Sequence, residues 1–98
     1  MFEWDEAKRQ HNLAKHGIDF VAVLAAFGDP QRIEVEDRRR HYGEKRRVIL
    51  CPVHDRLRHI TYTLRGTVRR LISARKANRR EQRIYERYRN HDEGDPQR

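Results

Sequence analysis

The sequence predicts an α+β domain with two N-terminal helices, a four-stranded antiparallel sheet and a C-terminal helix. Three observations predict it. Phe20, Val23, Leu24 and Phe27 repeat at the spacing of one buried helix face. Four short runs of strand character then follow one another between residues 32 and 75, joined by connections short enough to require antiparallel pairing. Last, Asn78 followed by Glu81 is a variant capping box that opens a helix directly after the fourth run. Helices on either side of consecutive antiparallel strands gather on one face of the sheet and leave the other open.

The first helix runs from Glu6 to about His16, with Asp5 as its N-cap and Gly17 as its C′ residue. It has few apolar positions beyond Ala7, Leu13 and Ala14, so Trp4 is expected to pin it to the core, with Lys8, Asn12 and Lys15 on its polar face. Asp19 caps the second helix, which Gly28-Asp29-Pro30 stops.

The strands are placed at Arg32 to Glu36, Arg46 to Val53, Leu57 to Arg65 and Val68 to Arg75. Turns lie at His54-Asp55-Arg56 and around Gly66, and a longer basic link runs from Asp37 to Lys45. The last helix, about Arg79 to Asn90, offers Ile84, Tyr85 and Tyr88 to the core. Residues 1–90 make a single domain, and residues 91–98 read as a disordered polar tail.

With 98 residues, 36% hydrophobic and 39% charged, one modest core is all that can form. The net charge of +8 is unevenly spread: residues 1–37 hold four Lys/Arg against eight Asp/Glu, the rest nineteen against seven. A basic segment beside an acidic one points to a polyanion or an acidic protein as partner, or to a solvated basic surface. Cys51 is the single cysteine, so no internal disulfide can form. A lone cysteine fits a reducing compartment, and the apolar neighbours Val48, Ile49 and Leu50 favour a buried structural thiol. No basic-then-apolar leader and no membrane-length apolar run is present, and the expected location is the cytoplasm.

Parity sorts the third strand. Ile60, Tyr62 and Leu64 share the core face, and His59, Thr61, Thr63 and Arg65 share the open one. Ser73 and Arg75 join the open face if Ile72 and Ala74 point inward, which leaves Arg70 on the apolar parity. Arg69, Arg70, Arg75 and Lys76 bracket the apolar run of the fourth strand and fix several charges in space.

Phe2-Glu3-Trp4-Asp5, Lys8, Asn12, Lys15-His16-Gly17, Phe20, Phe27-Gly28-Asp29-Pro30, Gly43-Glu44 with Arg46, Tyr62-Thr63 and Arg70 through Lys76 together resemble the BrnT toxin family. The resemblance extends from Phe2 to about Tyr88. It implies a fold similar to the RelE ribonucleases and a toxin of a type II toxin-antitoxin system that blocks translation by cutting RNA. It also implies a cognate BrnA-like antitoxin with a ribbon-helix-helix domain. Operator DNA would be reached only through that antitoxin, in a 2:2 complex.

Chemistry narrows the candidates. RNA cleavage without a metal needs help in deprotonating the 2′-hydroxyl, cations for the charge that develops on phosphate oxygens, and a proton for the leaving oxygen. No acid-rich or Cys/His spacing resembles a metal site, so neither a metal nor any other cofactor is expected. Arg46, Arg65 and Arg75 are the first choices for charge stabilisation. His16, at a helix end whose dipole favours its charged form, is either a proton donor or a helix-end hydrogen bond. Tyr62 is either a proton donor or a core residue. Lys8, Lys15, Arg39, His41, Arg70 and Lys76 are the expected RNA contacts. Arg79, Arg83 and Arg87 form a like-charged row that an acidic partner or RNA would relieve. A nucleic-acid-binding module without catalysis and a co-repressor interaction subunit are the alternatives.

Overall fold

The computed structural model describes residues 1–37 and 44–94, with side chains described as far as Asn90. Arg39 and His41 lie outside the described residues, as do residues 95–98. The elements are β1 (Phe2–Glu3), α1 (Glu6–His16), a 3₁₀ helix (Phe20–Gly28), β2 (Ile33–Asp37), β3 (Arg46–Val53), β4 (Arg56–Arg65), β5 (Val68–Lys76) and α2 (Arg79–Gly94).

Local chemistry sets the ends of α1. Asp5 accepts hydrogen bonds from the Ala7 and Lys8 backbone N–H groups at 2.8 and 3.2 Å. At the other end Gly17 takes a left-handed φ of 70° and donates to the Leu13 carbonyl at 2.9 Å. Trp4 packs edge-on against Phe20, centroids 6.0 Å apart, and so ties this weakly apolar helix to the core.

The second helix is 3₁₀ rather than α. Its hydrogen bonds span three residues, from Ala22 to Asp19 and from Asp29 to Ala26. The buried residues are accordingly Phe20, Val23 and Ala26, while Leu24 and Phe27 are partly buried. Almost every residue here is apolar, so composition could not choose between periods of 3.6 and 3.0.

The sheet has five strands and is mixed, in the order β1-β5-β4-β3-β2. The four predicted strands are present and antiparallel. The fifth, β1, lies parallel to β5 at Arg69 and Arg70. A two-residue strand has no periodicity to read, and its pairing spans most of the chain. His54 and Asp55 join β3 to β4 with φ of 53° and 61°, the conformation of a tight hairpin turn.

One face carries the core. Ile49, Cys51, Ile60, Tyr62, Leu71 and Ala74 pack there against Ile18, Phe20, Val23 and Ala26. Leu64, expected beside them, is exposed beyond the covered part of β4. Asn12, expected on a polar helix face, is also buried, only 5% exposed. Its carboxamide bonds both the N–H and the carbonyl of Ala74, at 3.0 and 2.9 Å, and also the Ile18 carbonyl at 3.1 Å.

A bulge at Thr61/Tyr62 moves the β4–β5 partner from Ser73 to Leu71. Arg70 therefore pairs with Thr63 and lies on the second face, not on the apolar parity. Three cross-strand rows cover that face: Ile33, Leu50, His59, Arg75; Val35, Val48, Thr61, Ser73; and Asp37, Arg46, Thr63, Arg70, Glu3.

The helices are not all on one side. The first turns of α2 lean over the second face, where Arg80, Glu81 and Ile84 wall a groove floored by Ile33, Val35, Val48 and Leu50. Ile84 and Tyr85 are half-buried, Tyr85 donates to the Gln31 carbonyl at 2.8 Å, and Tyr88 is 50% exposed. None of the three enters the core as expected. The helix also continues to Gly94, past the predicted end at Asn90.

Candidate active site

Arg75, near the end of β5, sits opposite His59 on β4. Its two terminal nitrogens each donate to Glu81 at 2.9 Å, and one also donates to the Lys76 carbonyl at 3.1 Å. Among the described residues, three of the five guanidinium N–H groups are thereby used. Glu81 also closes the predicted capping box, accepting from the Asn78 N–H at 2.9 Å while its own N–H donates to Asn78 at 2.8 Å. The sequence had shown Glu81 only as a cap.

His59 Nε2 lies 3.5 Å from Glu81, and the two side chains are only 8% and 14% exposed. Burial would raise the Glu81 carboxyl, but bonds from Arg75 and the Asn78 N–H, with His59 nearby, hold it below the usual carboxylate range. All three residues line the groove under α2, a cavity of about 280 Å³.

Arg46 and Arg70 flank Thr63 in a second row of the same face. Four residues of β4 separate Thr63 from His59, roughly 13 Å. Arg70 donates to Glu3 at 2.7 Å. Arg65 is not part of either group. It is exposed at the far end of β4, six residues or roughly 20 Å from His59, and pairs with Glu44 at 3.4 Å.

Around the β5 edge, Lys8, His11, Lys15 and His16 of α1 face Ile72 and Ser73 across a cleft of about 440 Å³. The expectation that the helix end would favour charged His16 is reversed. Burial first, then the positive neighbours Lys15, Arg75 and His11, lower its pKa.

Tyr62 stands apart, on the core face. Its hydroxyl donates to the Glu34 carboxylate and its ring meets Phe27 edge-on at 4.9 Å. Burial first and then Glu34 raise its pKa, so it is a core tyrosine remote from the cations of the second face. Lys76 is exposed and lines a separate groove of about 710 Å³ with Arg56, Arg79 and Tyr85. Cys51 is buried, its thiol pushed up to about 12 mainly by desolvation. Among the described residues no three His, Cys, Asp or Glu side chains gather in a way that could hold a metal ion. No described helix is long and apolar enough to cross a membrane.

The family model of the ribonuclease toxin BrnT, of type II toxin-antitoxin systems, matches residues 4–81. The chain belongs to the BrnT family. The BrnT match takes in α1, the strands β2 to β5 and Glu81, and so the edge cleft and all of the groove but Ile84, while most of α2 lies outside it. No match to the chain is found among curated proteins. A type II toxin of this family has a protein antitoxin as its partner.

Proposed function

We propose that this chain is the toxin of a type II toxin-antitoxin pair, inhibits translation by cutting RNA without a metal ion, and is silenced by a BrnA-like antitoxin. The observation that carries the reading is the placing of Arg46, Arg70 and Arg75 on one sheet face, continued around the β5 edge by Lys8 and Lys15. Such a band suits a flexible polyanion. Guanidinium groups hold phosphate oxygens through paired hydrogen bonds and stay ionised, so they can stabilise the charge that builds on phosphorus-bound oxygens. The catalytic role falls to Arg75 and Arg46, with Arg70, Lys8 and Lys15 as backbone contacts.

The antitoxin would cover this face, bringing acidic side chains to the arginines and apolar ones to the groove floor. Dimerisation through a ribbon-helix-helix domain would assemble two copies of each protein and reach operator DNA. The cell is the test. Expression of the chain alone should arrest growth and shorten messenger RNA, and co-expression with the antitoxin should restore both. Normal growth with intact messenger RNA would contradict the reading.

A further inference from the structure

The arginines stabilise charge but cannot remove the 2′-hydroxyl proton at neutral pH, because guanidinium stays protonated. A second group is needed. Tyr62 is on the wrong face, and the sequence-derived candidates contain no base inside the groove. His59 is there. It sits in an interior strand, on the face that carries Arg75, with its side chain almost wholly enclosed yet lining the groove.

We propose that His59 is a further catalytic residue, the base that accepts the 2′-hydroxyl proton, and that Glu81 is its positioning residue. This rests on the ribonuclease reading. In the step, the 2′-oxygen loses its proton to His59 Nδ1, the ring nitrogen that does not face Glu81, and bonds to the adjacent phosphorus. The bond from phosphorus to the 5′-oxygen breaks, and that oxygen takes a proton from solvent. The products are a 2′,3′-cyclic phosphate end and a 5′-hydroxyl end.

The geometry supports each part. At 3.5 Å the Glu81 carboxylate is close enough to stabilise the imidazolium that forms. Glu81 cannot drift, being fixed by two bonds from Arg75 and one from the Asn78 N–H. Among the described residues, the charged groups that line the groove with His59 are Arg75 from β5, Glu81 and Arg80 from α2, and Glu36 and Asp37 from β2.

The test uses the full chain, a single-stranded oligoribonucleotide and excess EDTA, with cleavage rate measured from pH 5 to 9 and binding measured separately. Wild type should show an acid limb whose midpoint equals the His59 titration seen by NMR. His59→Gln should bind RNA within about threefold of wild type but cleave at least about 100-fold more slowly. Glu81→Gln should move the acid limb to lower pH, since a lost carboxylate disfavours the imidazolium.

Cleavage by His59→Gln within threefold of wild type would overturn the proposal and leave the ribonuclease reading intact. If that variant fails to fold, an unmoved acid limb in Glu81→Gln, or a His59 that does not titrate with the rate, overturns it equally. Wild-type protein that binds RNA without cutting it would remove both.

Discussion

Asn12 pairs with Ala74 as a neighbouring strand would, giving and receiving one hydrogen bond through a side-chain amide. β1 covers β5 only at Arg69 and Arg70, so the edge beyond it would otherwise leave the Ala74 N–H and carbonyl unpaired beneath α1. A third bond, to the Ile18 carbonyl, ties the α1 exit to the same point.

Asn12→Ala should therefore cost about 3 kcal/mol, because each buried backbone group left without a partner loses 1–3 kcal/mol. Thermal unfolding measures this, and a drop in midpoint of more than about 10 °C is expected. Asn12→Asp should fail as well, since a carboxylate cannot donate to the two carbonyls.

Asp5, Gly17 and Asn78 act within a few residues of themselves, and each does what its type and position dictated, whereas Glu81 does so only in its capping bonds. β3 is bounded as predicted, by a continuous apolar run. Asn12 was misplaced because nothing local marks a partner 62 residues away. The bulge at Thr61/Tyr62 is likewise silent in one strand's pattern, yet it turns Arg70 toward Arg46. For the site, the sequence supplied the cation types but not which of them meet. Arg65 looked equivalent to Arg75 and lies at the opposite end of its strand.

That separation makes a prediction. Arg75→Ala should lower RNA cleavage by at least about 100-fold, the usual scale for removing a group that stabilises developing charge. Arg65→Ala should change it less than threefold. Cleavage rates of the two purified variants at equal concentration check the pair.

Asp19 accepts two hydrogen bonds from Arg9, at 2.8 and 2.9 Å, and one from the Val21 N–H, and these pull its pKa to about 2. A carboxyl depressed by folding contributes stability that is present above its ordinary pKa and lost as pH falls through the folded one. Wild type should thus lose stability between about pH 4 and pH 2. Asp19→Asn should be less stable at pH 7 and show a shallower loss over that window in denaturant titrations.

His16 should titrate below the ordinary histidine value, and Arg75→Ala should raise its midpoint by removing one of the positive neighbours. Side-chain NMR across pH 4 to 8 reads both. A midpoint at or above the ordinary value would mean that the α1 cleft is not positive.

The account stands most directly on purified, antitoxin-free protein incubated with RNA in excess EDTA. It predicts cleavage that leaves 2′,3′-cyclic phosphate ends and RNA affinity that falls steeply with salt, as expected when several phosphates are neutralised by Lys and Arg. RNA that stays intact, with weak binding that is flat from low to physiological salt, would contradict it.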